Sequence, residues 1–173
     1  MDSFFIFLWI CFNAIYADDL EQSSEQQHLH QFLAKLVAID QDKKLHKLLF
    51  SKFTGSIRTL IDNKYAFEPF WNALRSHDSS GKWEELFRNH KQQATKVILT
   101  GDTSTLLSII FSRIYTLRNQ LIHGGATWSS EVNRPQLLDA CQILADLVPT
   151  IIEIMLEHPN EDFGEIAYPV VGR

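Results

Sequence analysis

The chain is expected to fold as an all-α helical bundle with additional short helices, on three observations. No segment sustains a period-two alternation of apolar and polar residues, several segments repeat apolar residues at the spacing of one helix face, and the boundaries between them carry helix-capping or helix-stopping residues. The 173 residues are 45% hydrophobic and include twelve Phe and four Trp, enough for one packed core, and no repeat of solenoid length is present. These features predict one helical domain over residues 1–158 and an irregular tail over 159–173.

The elements follow in order. Phe5, Trp9, Phe12 and Tyr16 recur at i, i+4, i+7 and i+11, the buried face of a first helix within 4–17. Asn13 is expected to bond across a helix contact. A polar linker over 18–24 ends at Ser23 and Ser24, either of which suits an N-cap, and a second helix carries Leu29, Phe32, Leu33, Leu36 and Val37 as far as Ile39. Helical density resumes over 43–53 and 56–61, with Thr54-Gly55 as the expected break and Asn63-Lys64 as a turn. A short helix around Phe67, Phe70, Trp71 and Leu74 tolerates Pro69 only in its first turn. After a loop over 77–81, a helix over 82–99 ends at Gly101 as C-cap. Asp102-Thr103 opens the next, striped by Leu106, Ile110, Ile114, Leu117 and Leu121 and stopped by Gly124-Gly125. Asn133-Arg134-Pro135 opens a long last helix whose inward residues are Leu137, Cys141, Leu144, Val148, Ile151, Ile152 and Met155, with a kink expected at Pro149.

Composition narrows the function classes. The net charge of −5 opposes general coating of nucleic acid, so contact with phosphate needs a local basic patch. Cys11 and Cys141 are isolated and read as small core residues, and His28 and His30 project about 200° apart on a helix, so neither a disulfide framework nor a bound zinc or other cofactor is expected. The apolar run near the N-terminus lacks a preceding Lys or Arg, has Ile15 where a signal peptide needs a small residue, and is too short to span a bilayer. It is expected to be a retained core helix of a cytoplasmic protein with no membrane association.

Chemistry concentrates in the segment Arg118-Asn119-Gln120-Leu121-Ile122-His123. Asn119 and His123 lie four apart, about 40° apart around the axis and about 6 Å along it. Arg118 projects about 140° from His123, and its long side chain can reach around when a partner surface closes over the helix end. Arg binds phosphate bidentately, Asn orients, and His transfers protons near neutral pH, a set suited to phosphodiester chemistry. His123 before Gly-Gly also suits the negative end of the helix dipole with no catalysis at all. Arg113 and Arg134 are candidates for widening a basic patch, and Trp128 for stacking a base or simply packing. Glu153 and Glu157 read as a solvated face.

The motif fits the Arg-x4-6-His signature of the HEPN superfamily, with a polar residue directly after the Arg. Tyr115-Thr116-Leu117 before it, His123-Gly124-Gly125-Ala126-Thr127-Trp128 after it, and the stretch from Leu8 to Tyr16 resemble bacterial HEPN proteins of the Apea-like kind, a likeness spanning most of the chain. The resemblance implies a helical bundle that forms a homodimer with Arg and His of both subunits lining one cleft. It further implies metal-independent endoribonuclease activity on RNA, in a toxin–antitoxin, stress or phage-defence setting with an antitoxin or defence-system partner protein. His123 would be the general acid or base, Arg118 the phosphate and transition-state stabiliser, and Asn119 the orienting amide. Gly125 stands where HEPN toxins silenced by a nucleotidyltransferase carry Tyr, so that form of silencing is not implied. Other members of the family keep the helices as silent RNA- or nucleotide-binding modules, or as dimerisation or docking domains.

Overall fold

A computed structural model of the protein describes residues 1–16, 25–123 and 133–163, with side chains from 28 onward in the second stretch. Among these residues there are α-helices and short helical turns and no strand. The helices are α1 (Asp2–Tyr16), α2 (Glu25–Ile39), α3 (Lys44–Lys47), α4 (Thr54–Asp62), α5 (Glu68–Arg75), α6 (Lys82–Thr100), α7 (Thr103–Ile122) and α8 (Arg134–Glu157). A π-helical turn (Leu48–Lys52) continues α3, and a 3₁₀ turn (Lys64–Ala66) joins α4 to α5.

The core is built around α7 and α8. Leu106, Leu107, Ile110, Phe111, Ile114 and Leu117 of α7 are buried, so that α2, α4, α6 and the 3₁₀ turn all find apolar surface on it. The buried face of α8 runs from Leu137 through Leu144 and Ile151 to Ile154 and packs chiefly on α1 and α4. Phe12 of α1 stacks on Phe111 with ring centroids 4.2 Å apart, and Trp9 meets Tyr115 edge-on at 5.9 Å, so α1 runs antiparallel to α7. Each fully buried Phe here contributes about 1.5–3 kcal/mol of transfer free energy, which makes Phe5 and the Phe12–Phe111 stack main anchors of α1.

Local chemistry explains most boundaries. Asp102 caps α7, its Oδ1 accepting from the Thr105 N–H at 3.0 Å and its Oδ2 from the Thr105 hydroxyl at 2.7 Å, which holds its carboxyl below the usual range. Gly101 ends α6 at φ +70°, where a side chain would be strained. Pro69 sits in the first turn of α5, as its missing N–H requires.

Several expectations need correction. Gly55 lies inside the first turn of α4, and the interruption falls at Phe53, which leaves the π-helical turn at φ −109°. Cys11 is exposed on α1, while Cys141 is buried and its thiol is pushed up to about 11 by desolvation. Ile152 is exposed. Glu153 and Glu157 are exposed, as a solvated face requires, and they also clasp Lys44 of α3, at 2.9 and 2.6 Å, which holds that ammonium well above its ordinary range. The Asn13 Oδ1 is buried with no hydrogen-bond partner among the described residues. Residues 159–163 are non-helical, yet Lys35 of α2 pairs with Glu161 at 3.4 Å and lies over the Phe163 ring, docking this stretch on α2. Pro149 lies inside α8, where the sequence places it, and the linker over 18–24 and the Gly124-Gly125 stop lie outside the described residues. Among the described residues no helix is long and apolar enough to cross a membrane.

Candidate active site

The last turn of α7 is held from three sides. Leu117 is buried in the core, and Gln120, also buried, donates from Nε2 to the Tyr65 carbonyl at 2.5 Å. That carbonyl also accepts from Trp71 Nε1 at 2.7 Å. The Gln120 Oε1 accepts from Asn133 Nδ2 at 2.7 Å, and Asn133 Oδ1 accepts from Asn63 Nδ2 at 3.1 Å. Asn133 adopts φ +61°, a left-handed conformation that Asn tolerates better than most residues. Its side chain is therefore committed to bridging α7 and α4 instead of capping α8. Gln120 received no role from sequence reasoning, although it lies inside the motif and three residues from Leu117 on the inward face.

Above this amide chain, α7 ends at His123, whose N–H donates to the Asn119 carbonyl at 2.9 Å and whose side chain is exposed. Arg118 is half-buried. Its Nη1 donates to Asn119 Oδ1 at 2.9 Å, its guanidinium carbon lies 5.9 Å from the centroid of the Tyr115 ring, and its Nε is buried with no partner among the described residues. Arg118 and Asn119 are thus joined directly, and Asn119 is joined to His123 through the backbone. Arg118 and His123 leave the helix about 140° apart, so one chain presents the cation and the imidazole on different sides of the α7 end. The arrangement offers a fork for a phosphate, an amide that aims it, and an accessible imidazole.

The two flanking arginines are not part of an exposed basic patch. Arg113 is only 3% exposed: its guanidinium lies 4.5 Å from the Phe67 centroid and 5.6 Å from that of Phe87, and Nη1 donates to the Ala66 carbonyl at 3.3 Å. Burial lowers its pKa to about 10, and burial followed by the Arg113 charge lowers that of His90, whose ring meets Phe67. A helical wheel supplies the missed signal, since Arg113 falls about 60° from Ile110, inside the apolar stripe. Arg134 forms a fork-on-fork pair with the buried Asp2, which ties the start of α8 to the start of α1. Trp128 lies outside the described residues.

Arg113→Ala is expected to lower the unfolding free energy by about 2–4 kcal/mol in urea titrations, because it empties the slot between two Phe rings and orphans the Ala66 carbonyl. Arg113→Met, which refills the slot, should lose clearly less; equal losses would rule out the packing role.

Among the described residues no three potential metal ligands converge. Compared with family models, curated proteins and solved structures, the chain shows no significant match.

Proposed function

We propose that the protein is a homodimeric, metal-independent endoribonuclease of the HEPN type acting in a stress, toxin–antitoxin or phage-defence setting. The observation that carries the proposal is the end of α7. There Arg118 is hydrogen-bonded to Asn119, and the exposed His123 sits one turn from Asn119, fixed to a rigid helix by the Gln120–Asn133–Asn63 chain. The motif likeness supplies the reaction class. The divergence of Arg118 and His123 supports a cleft completed by a second copy, as does the exposed apolar face of α1.

In this reading the ribose 2′-oxygen attacks the adjacent phosphorus while His123 takes the hydroxyl proton. The new 2′-O–P bond forms, the P–O5′ bond breaks, and the departing 5′-oxygen receives a proton from His123 of the partner subunit. Arg118 faces the equatorial phosphate oxygens, where charge accumulates, and Asn119 keeps its guanidinium aimed. The products are a 2′,3′-cyclic phosphate and a free 5′-hydroxyl, and DNA, lacking the nucleophile, is spared.

The test is incubation of structured and unstructured RNA with the purified protein in EDTA, alongside Arg118→Ala and His123→Ala. Cleavage that survives chelation and disappears in both variants supports the enzyme. Retained, salt-sensitive RNA binding without cleavage identifies a silent module, and neither activity identifies a docking domain.

A further inference from the structure

We infer that a groove between the C-terminal end of α4, the 3₁₀ turn and the start of α8 is the track along which single-stranded RNA reaches the α7 end. This inference rests on the endoribonuclease reading for the identity of its ligand, and on the following geometry for its place.

The groove has a volume of about 820 Å³ and is lined by Arg58, Asp62, Lys64, Tyr65, Asn133 and Gln136 among others. Three properties distinguish it. First, its charge is opposite to that of the chain. The protein carries −5 overall, yet Arg58 and Lys64 meet no carboxylate among the described residues, while Asp62 is held by Lys91 at 2.6 Å. The groove thus presents two cations whose nearby acid is already neutralised. Secondly, Lys64 is positioned by rings: its Nζ lies 5.2 Å from the Tyr65 centroid and 5.5 Å from that of Phe70. Tyr65 is itself 39% exposed and braced edge-on by Phe70 at 5.3 Å, so an aromatic surface stands beside the cations. A cationic groove with an adjoining aromatic surface and neutral amides is the usual set for a sequence-tolerant grip on a single strand: cations for the backbone, ring and amides for bases.

Thirdly, the groove is physically joined to the proposed reaction centre. Its Asn133 wall is hydrogen-bonded to Gln120, and Gln120 precedes His123 by three residues, about 60° around the α7 axis and about 4.5 Å along it. Asn133 thus ties the wall of the groove to the last turn of α7, the turn that ends at His123. The basic patch that the overall charge demands thus comes from Arg58 and Lys64 on α4 and the 3₁₀ turn, while Arg113 and Arg134 are consumed inside the fold.

The experiment measures binding of a fluorescently labelled, unstructured RNA oligonucleotide to the full-length protein across a salt series. The variants are the pair Arg58→Ala/Lys64→Ala and, as a charge-matched control on the exposed face of α6, the pair Arg88→Ala/Lys96→Ala. Loss of two charge-assisted phosphate contacts is expected to weaken binding about 10-fold or more. The slope of log affinity against log salt should fall by about 1.4, about 0.7 for each contact. Thermal melts should be unaltered, and the control pair should bind like the wild type. Wild-type affinity and slope in the groove pair, or an equal loss in the control pair, overturns the groove while leaving cleavage by the α7 end intact. Groove-dependent binding without cleavage keeps the groove and overturns the enzyme, and wild-type protein that neither binds nor cleaves RNA overturns both.

Discussion

Replacing His123 by Ala is expected to slow RNA cleavage in EDTA by about 10²–10⁴-fold, the range that a positioned proton-transfer group supplies. The fold should be untouched, because the imidazole is exposed and the bond that the residue makes among the described residues, its N–H to the Asn119 carbonyl, survives in Ala. The favourable placement of a His at a helix C-terminus is worth only about 0.3–1 kcal/mol, so a melting curve barely moves. Arg118→Ala should lose a comparable factor, and Arg118→Lys should recover little of it, because an ammonium cannot supply the planar fork that Asn119 orients. The cleft also makes a mixing prediction. If both copies line it, combining inactive Arg118→Ala with inactive His123→Ala yields mixed dimers with one of each group, and part of the cleavage returns. Wild-type rates in the His123→Ala protein would end the enzyme reading.

The helices were legible where a single periodicity decided the matter. Phe5, Trp9, Phe12 and Tyr16 lie on one side of α1, and all are buried, because a four-residue aromatic stripe has no other place in water. The same holds for Leu106, Ile110, Ile114 and Leu117 on α7. The α7 cap was equally local, since Asp102 and Thr105 are three residues apart and make the bond themselves. What escaped was whatever depends on a distant partner. Arg134 meets Asp2 across 132 positions of sequence, and no spacing rule announces that pair. Arg113 was readable in its position but not in its fate: a cation on an apolar stripe is placed by the wheel, while the Phe67 and Phe87 rings that accept it come from other elements. The motif itself was legible as Arg118, Asn119 and His123, yet its support was not. Gln120, Asn133 and Asn63 become one chain only when α4, α7 and α8 are brought together.

Phe7→Asp is expected to convert the protein from two-chain to one-chain mass in analytical ultracentrifugation and to reduce cleavage to the level of the His123→Ala protein. The face concerned lies opposite the buried stripe of α1. Phe4 is 52% exposed, Phe7 64% and Ile10 53%, and the exposed Cys11 and Ala14 complete a band about 120° wide. The three large residues leave roughly 300 Å² of apolar surface in water, as much as the largest patch on many monomers. The only acid of α1, Asp2, is turned inward to Arg134, so the band carries no charge to repel a copy of itself. On α8, the exposed Leu138 and Ile152 fall within about 40° of Arg134 around the helix axis, on the flank that α1 adjoins, and widen the band toward the roughly 800 Å² per partner of a stable interface. Trp9, on the buried face of α1, packs on Tyr115 of α7, three residues before Arg118, so the band and the α7 end belong to one packed unit. The native cysteines supply a second measurement. Cys11 lies exposed on the band and Cys141 is buried, so a short bis-maleimide should produce a covalent dimer that Cys11→Ser abolishes and Cys141→Ser does not. Both variants should melt like the wild type if α1 keeps its core face. A wild-type protein that sediments as one chain at micromolar concentration, or a Phe7→Asp protein that stays dimeric and active, would exclude α1 as the seam.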